Sequence, residues 1–196
     1  MTTALDAEQT ETGYQRHRWT VAEYHRMGEV GLLNEDSRVE LIDGEIVEMA
    51  PIGSFHGGEV KYFNNRLVSL LHGKAIVSVQ DPIILGGHAE PQPDIALLRW
   101  RDDFYRTANP HAEDVLLIIE VSDSTLRYDR DVKVPLYASH GIPEVWLLDL
   151  QQRQLEIYRE PVRGQYRQRD CRRTGIIAPI LCPEAGIDLA ELFPNS

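Results

Sequence analysis

The sequence predicts a single α/β domain in which a mixed central β-sheet is flanked by helices and carries additional β-hairpins. Helix-like and strand-like segments alternate along the chain, which is typical of this class. The run 114–122 (DVLLIIEVS) is apolar enough for a strand that is buried on both faces. With 196 residues, of which 42% are apolar and 26% charged, the chain can fill one core, and disordered and collagen-like classes are excluded.

The N-terminal region predicts an arm, a helix and a hairpin. Residues 1–17 show no apolar periodicity, so we expect a mobile arm there and one domain over 18–196. Thr20 and Glu23 have the spacing of a capping box, which predicts a helix start. Asp43, followed by glycine between two short alternating runs, predicts the tight turn of a β-hairpin.

The remaining segments predict the sheet and the helices that cover it. Apolar residues at helical spacing between 54 and 71, followed by Gly73, indicate a long helix. A further helix is expected between about Asp129 and Ser139. Strands are expected at 75–80, 82–85, 94–100, 114–122 and 144–149, and an exposed hairpin at 154–159 and 165–172.

The charge distribution limits the classes of partner. With 20 basic and 31 acidic residues the net charge is −11, the wrong overall sign for a nucleic-acid-binding protein. Residues 151–175 nevertheless hold seven arginines, which form either a partner surface or the solvated face of a hairpin, the more frequent case. On a regular strand one face would carry Arg163, Arg167, Arg169 and Arg173, directed toward DNA or toward the acidic N-terminal region of a second copy.

Cysteine usage and hydropathy indicate a cytoplasmic protein. The two cysteines are far apart, which favours reduced thiols over a zinc site or a disulfide framework. No apolar run approaches the roughly 20 residues of a membrane helix, and the polar N-terminus resembles no signal peptide.

Asp94 and Glu120 are acidic residues for which a purely structural role explains little. Asp94 opens one predicted strand, and Glu120 lies near the end of the most apolar one, where an unpaired carboxylate is costly to bury. Neighbouring strands joined by the 101–113 loop run antiparallel, so both carboxylates are expected at one edge of the sheet. A Mg²⁺ or Mn²⁺ ion between them would offset their repulsion. The alternative is that Glu120 pairs with Lys133 or an arginine and that Asp94 caps a turn.

Glu40, His56 and Gln80 are weaker candidates. Strand alternation places Glu40 opposite Val39 and Leu41, on a solvated face or in the same cleft, and alternation alone favours the solvated face. His56 begins the long helix and is either a cleft residue or a helix-cap or surface histidine. Gln80 ends a strand and either contacts substrate or water or only terminates the strand. The P-loop, the G-x-S-x-G elbow and the G-x-G-x-x-G turn are absent from the sequence, which argues against nucleotide hydrolysis, acyl transfer and a Rossmann site.

Four segments, in a fixed order, carry a resemblance to a known family. They are VELIDGEIVEMAP, a helix opened by His56, PQPDIALL, and IIEVSDSTLRYDRDVKVPLYASHGIPEVWLLD. Together they resemble the Uma-two-type endonuclease family of the restriction-endonuclease-like, PD-(D/E)xK superfamily, from about Arg38 to Tyr158. The resemblance implies a restriction-endonuclease-like fold.

The resemblance also implies roles for four residues. Pro93-Asp94 matches the PD of the motif, so Asp94 is expected to bind metal, and Glu120 matches the second acidic ligand. Glu40 matches a further acidic residue that contacts metal or water. The lysine that the superfamily places two residues after the second acid is Ser122 here, and its counterpart is expected to be Lys133.

The surroundings of Lys133 in the sequence give a mixed indication. Asp129, Lys133 and Tyr137 are four residues apart and would share one face of a regular helix. Pro135 requires that the helix start late or kink, so Lys133 is expected near a helix start and within reach of Glu120. The alternative is a surface Lys–Asp ion pair of small energy.

The function implied by the resemblance is a metal-dependent endonuclease that hydrolyses phosphodiester bonds of DNA with Mg²⁺ (or Mn²⁺). The expected metal ligands are Asp94, Glu120 and Glu40, and Lys133 completes the expected catalytic set. A homodimer is expected, since cutting both strands needs two active sites or two visits. The alternatives are a non-catalytic module that keeps the nuclease fold for nucleic-acid binding or assembly, which the acidic net charge favours, and a hydrolase of small phosphate esters.

Overall fold

The computed structural model describes residues 16–34 and 36–193. The predicted arm at 1–17 lies outside this range except for Arg16 and His17, which belong to no helix or strand. In the part of the chain that is described, no helix has both the length and the apolar character needed to cross a membrane.

The N-terminal elements form where the sequence predicts them. Helix α1 (Val21–Glu29) begins at a capping box in which both hydrogen bonds of Thr20 are present. Strands β1 (Val39–Ile42) and β2 (Glu45–Glu48) form the predicted hairpin, and Asp43 adopts the left-handed conformation (φ 50°) that its turn requires.

A six-stranded mixed β-sheet forms the centre of the molecule and confirms the predicted fold class. Its strands lie side by side in chain order: β3 (Ala75–Val79), β4 (Ile95–Arg99), β5 (Val115–Ser122), β6 (Glu144–Asp149), β7 (Gln154–Val162) and β8 (Gln165–Arg172). Neighbouring strands pair antiparallel except β5 and β6, which are parallel and joined by a helical crossover. Every residue of β5 is buried, because the sheet is covered on both faces.

The helices cover this sheet. Helix α2 (Ser54–Leu71) spans the predicted range. The crossover consists of α3 (Leu126–Tyr128), a π-helical turn (Asp129–Lys133) and α4 (Val134–Ser139). The prediction of one helix from about Asp129 was therefore wrong in its start and in its form. Pro135 lies in the first turn of α4, where its missing N–H needs no partner, and the wider π-helical turn lies directly before it.

Apolar residues fill both faces of the sheet. On one face, Phe63 and Leu67 of α2 pack with Trp146 of β6. On the other face, Tyr137 of α4 packs with Ile118 of β5. The C-terminal elements are short: β9 (Ile176–Ile177), β10 (Ile187–Asp188) and α5 (Leu189–Leu192).

Two strand predictions were wrong. Residues 82–85 form only single bridges at Ile84 and Leu85, since Pro82 lacks an N–H and the chain turns at Gly86 (φ 66°). The hairpin at 154–159 and 165–172 was predicted to be exposed, but its first strand is buried in the sheet. Strand β7 pairs on both sides and is buried from 155 to 158, so that only the edge strand β8 is exposed.

Candidate active site

Asp94 and Glu120 lie side by side at one edge of the sheet, as their strands predict. Antiparallel pairing of β4 and β5 sets Ile95 opposite Ile119 and so brings the two acids together. The N–H of Asp94 donates to Oε2 of Glu120 (3.3 Å), and the N–H of Val121 donates to Oδ2 of Asp94 (2.9 Å). The adjacency of the two carboxylates is therefore confirmed.

Glu40 is buried in the same cleft, where the resemblance places it, and the solvated face that alternation alone favours is wrong. Strand β1 pairs with Glu90 through two backbone hydrogen bonds of its Leu41, which brings the segment with Gln92 next to Glu40. Only 3% of Glu40 is exposed. Its Oε2 accepts from the N–H of Gln92 (3.1 Å), and its Oε1 accepts from the hydroxyl of Tyr128 (3.3 Å).

Lys133 lies between the two glutamates. Its Nζ is 2.8 Å from Oε1 of Glu120 and 3.4 Å from Oε2 of Glu40. The side chain is almost fully buried, so the alternative of a surface Lys–Asp pair was wrong. An ion pair between Lys133 and Glu120 was the structural alternative offered for Glu120. The structure contains this ion pair, and its lysine is the one that the resemblance implies for the site. The hydroxyl of Tyr137, one helical turn further along, donates to the same Oε1 of Glu120 (2.6 Å).

Asp129 is a fourth buried carboxylate beside the lysine, and the sequence did not single it out as a site residue. It accepts hydrogen bonds from the hydroxyls of Ser122 and Thr125, both at 2.6 Å. Ser122 occupies the position of the superfamily lysine, and its hydroxyl instead anchors the π-helical turn that carries Lys133. The four-residue spacing of Asp129, Lys133 and Tyr137 was the signal that could have identified it, because all three do face the site.

His56 and Gln80 both contact Asp94. Nε2 of His56 is 2.9 Å from Oδ2, and Nε2 of Gln80 donates to Oδ1 at 3.2 Å. Nδ1 of His56 is buried without a hydrogen-bond partner in the described part of the chain. Gln80 adopts a left-handed backbone conformation (φ 56°), which is uncommon for a residue other than glycine. For both residues, the structure supports the interpretation that they belong to the cleft, and not that they only cap a helix or end a strand.

The electrostatics of the site are set by burial and by an excess of acid. Burial raises the pKa of Glu120 to about 8; Lys133 opposes this shift, and Asp94 and Asp129 add to it. Burial likewise raises the pKa of Asp129. For Lys133, burial acts to lower the pKa, but attraction by the surrounding carboxylates outweighs it and the pKa is raised. The hydrogen bond to Asp94 raises the pKa of His56.

The acids border a cleft of about 310 Å³, lined also by the β2–α2 connection and by the segment before α3. Within 16–34 and 36–193 no three side chains of His, Cys, Asp or Glu already form a metal-binding group. Mg²⁺, however, is commonly held by one or two carboxylates together with substrate phosphate and water. Two adjacent carboxylates, in a site with four acids and one ammonium group, fit an oxygen-coordinated divalent cation.

The fold is that of the restriction-endonuclease-like class of nucleases. The chain belongs to the Uma2 family, described as "Putative restriction endonuclease", whose model matches residues 21–190. Among solved structures it is similar to a protein from Anabaena variabilis described as "a putative nuclease belonging to DUF820". The TM-score is 0.68 and the identity 19%, over 84% of this chain and 95% of that chain. At this identity the likeness concerns the fold. A search of curated proteins found no match.

Proposed function

We propose that the protein is a Mg²⁺- or Mn²⁺-dependent endonuclease that hydrolyses phosphodiester bonds of DNA. One observation carries the proposal: a buried lysine, Lys133, contacts Glu120 directly beside Asp94, within a cleft that has a net negative charge. A structural ion pair needs one acid for each base, whereas the residues that line this cleft include six acids and only two bases, Arg38 and Lys133. Membership of a family described as endonucleases supports the same conclusion.

Asp94 and Glu120 are the residues that would hold the metal ion. A bound divalent ion supplies Lewis-acid polarisation of the scissile phosphate and lowers the pKa of a bound water. Glu40 is proposed as a further metal or water contact, because it is buried on the other side of Lys133. His56 and Gln80 fix the orientation of Asp94, and Tyr137 fixes that of Glu120.

Lys133 is proposed to orient the attacking water or to offset negative charge that develops on the phosphate. Its ammonium group is held between two carboxylates and therefore stays protonated through the physiological pH range. A fixed positive charge in a water-poor cleft stabilises a developing anion more than it would in bulk water.

The experiment is a plasmid-cleavage assay with Mg²⁺ or Mn²⁺. Asp94→Ala and Glu120→Ala should each lower the rate by about 10²-fold or more, because each removes a proposed metal ligand. The matched control is Asp170→Ala, an exposed acid paired with Arg172 on β8, which should cleave like the wild type. Equal activity in wild type, Asp94→Ala and Glu120→Ala would reject the mechanism.

A non-catalytic nucleic-acid-binding or assembly module is the second candidate, favoured by the net charge of −11 and by Ser122 at the lysine position. Such a module would bind DNA but would not cleave it with any divalent ion tested. A hydrolase of small phosphate esters would instead turn over small diesters with little dependence on salt, whereas DNA binding weakens steeply as salt rises.

One domain over 18–196 that assembles as a homodimer is the proposed organisation, since two copies would offer one active site to each strand of a duplex. Light scattering at tens of micromolar protein tests the assembly. A mass of about 45 kDa, twice the 22.4 kDa of one chain, supports the dimer, and a monomer mass rejects it.

A further inference from the structure

A second groove opens beside the catalytic cleft and is continuous with it. It measures about 830 Å³ and lies between α1 and the β1–β2 hairpin. The two cavities share five wall residues: Arg38, Met49, Ile52, Gln80 and Gln92. A chain molecule that occupies the cleft at Asp94 therefore has a path into the groove past these residues.

Arg38 is the cation at the junction of the two cavities. It is exposed, and among the described residues its guanidinium makes no ion pair. The other cation of the cleft, Lys133, is bound to Glu120 and Glu40. A guanidinium that lines an acidic cleft and has no carboxylate partner among the described residues is suited to bind an anion, and phosphate is the anion whose oxygens match its paired N–H groups.

Helix α1 contributes two rings to the wall of the groove. Tyr24 and His25 of α1 line it, and both side chains are fixed at their polar ends. The hydroxyl of Tyr24 donates to the carbonyl of Val39 (3.0 Å), and Nε2 of His25 lies 2.6 Å from the buried carboxylate of Glu90. Rings held in this way offer surfaces on which nucleobases of any sequence stack.

The dimensions favour a single strand over a duplex. The side chains of Asp94, Glu120 and Lys133 are 13% exposed or less, so a phosphate must enter the cleft to reach them. Cavities of a few hundred cubic ångströms enclose one small molecule, the size of a nucleotide. A strand reaches such a recessed site when it is unpaired or locally extruded from its duplex.

We propose that this groove binds the unpaired nucleotides next to the scissile phosphate, and that Arg38 holds a phosphate of that strand at the junction. The inference rests on the proposed function, because it takes the cleft at Asp94 as the place of cleavage. It adds a substrate class: single-stranded or locally opened DNA.

The test is equilibrium binding, followed by fluorescence anisotropy with Mg²⁺ present. The probe is a labelled phosphorothioate oligodeoxynucleotide of about 12 nucleotides, a length typical of single-strand sites, which keeps its charge and resists hydrolysis. Wild type should bind the single strand at least about ten-fold more tightly than the duplex of the same sequence. Arg38→Gln should lose about ten-fold in affinity, and the slope of log K against log salt should fall by about 0.7, as for one lost phosphate contact.

Two further variants provide controls. Arg106→Gln removes an equally exposed arginine that lies over the Phe104 ring, in the loop at the other end of β4, and should bind like the wild type. Arg38→Lys keeps the charge and should keep the wild-type salt slope, while losing affinity because an ammonium group cannot donate two parallel hydrogen bonds.

The inference is overturned if Arg38→Gln binds like the wild type, if duplex is bound as tightly as single strand, or if wild type binds neither. These outcomes are separate from failure of the proposed function. A protein that binds single strands through Arg38 but cleaves nothing rejects the nuclease proposal alone. A protein that cleaves duplex plasmid equally well with Arg38→Gln keeps the nuclease proposal and rejects this one.

Discussion

The carboxylate cleft and the arginine-rich β7–β8 hairpin are both highly charged, and the charges are arranged differently in the two regions. On the hairpin, buried glutamates meet arginines from the surface. Arg159 contacts Glu144 at 2.7 Å, and Arg130 and Arg169 both contact Glu156. In the cleft, Lys133 lies between Glu40 and Glu120, and acids outnumber bases among the residues that line it. At the hairpin, each buried acid is bound by at least one arginine, which stabilises the fold. In the cleft, acid is in excess over base, which favours the binding of a cation.

The comparison also bears on the arginines that were expected to form one free face. Arg169 binds Glu156 and lies 5.8 Å from the ring centre of Tyr158, and Arg173 donates to Gln154 (3.3 Å). Arg163 lies in the turn of the hairpin with a left-handed backbone. Arg163, Arg167, Arg169 and Arg173 are all exposed, but Arg169 and Arg173 already contact side chains of β7. Their contact with DNA or with a second copy stays a prediction. The structure shows a surface on which arginines cover buried acids.

Replacing Lys133 in the cleft is expected to have the largest effect, and the effect is on the rate of cleavage. Lys133→Met keeps the length of the side chain and removes the charge, and should lower the cleavage rate by about 10²–10⁴-fold, the range for a catalytic group of this kind. The matched control is Lys74→Met, which breaks an exposed ion pair with Glu184 and should leave the rate unchanged. If Lys133→Met cleaves at a rate within a few-fold of wild type, the lysine is a structural counter-ion and not a catalytic group.

On the hairpin, the expected effect is on stability instead of rate. Glu156→Gln removes a buried charge that binds two arginines, and should lower the free energy of unfolding by about 2–3 kcal/mol in urea denaturation. Cleavage by the folded fraction should stay within a few-fold of wild type. Arg167→Gln, an exposed change on β8, should stay within about 0.5 kcal/mol. If Glu156→Gln abolishes cleavage without a loss of stability, the hairpin belongs to the site.

The raised pKa of Glu120 predicts a smaller, pH-dependent effect in metal-free protein. Its native pKa is about 8 and its ordinary value 4.5, so between these values the native state binds the additional proton. The stability contributed by this protonated carboxyl is complete below pH 4.5 and is lost as pH rises through about 8. The slope is at most about 1.4 kcal/mol per pH unit.

Urea denaturation in EDTA from pH 5 to 9 measures this dependence. Wild type should lose more stability with rising pH than Glu120→Gln, whose amide does not titrate. If the free energies of unfolding of the two proteins change equally with pH, Glu120 is ionised over the whole range and its charge is balanced by Lys133.

Local patterns predicted the elements of the fold well. The capping box at Thr20, the turn at Asp43 and the helix over 54–71 depend on residues a few positions apart, and all three form as expected. The adjacency of Asp94 and Glu120 followed from two antiparallel strands and one loop. These features need no knowledge of the packing around them.

The errors came from contacts between distant segments. Alternation alone favoured solvent for Glu40, but contacts from the distant Gln92 and Tyr128 bury it in the cleft, where the resemblance placed it. The ion-pair partners of the arginines in 151–175 could not be predicted from the sequence. Glu144 lies in an earlier strand, and the burial of Glu156 depends on the whole sheet. The π-helical turn at Lys133 could not be distinguished from a regular helix by residue spacing.

Metal binding tests the central claim most directly, that excess acid in the cleft holds a divalent ion. Isothermal titration of Mn²⁺ into the protein at pH 8 should show one site in wild type and none in Asp94→Asn or Glu120→Gln, while Glu156→Gln should bind like the wild type. Heats that are equal in wild type and Asp94→Asn, or the absence of a binding signal in wild type, would contradict the account.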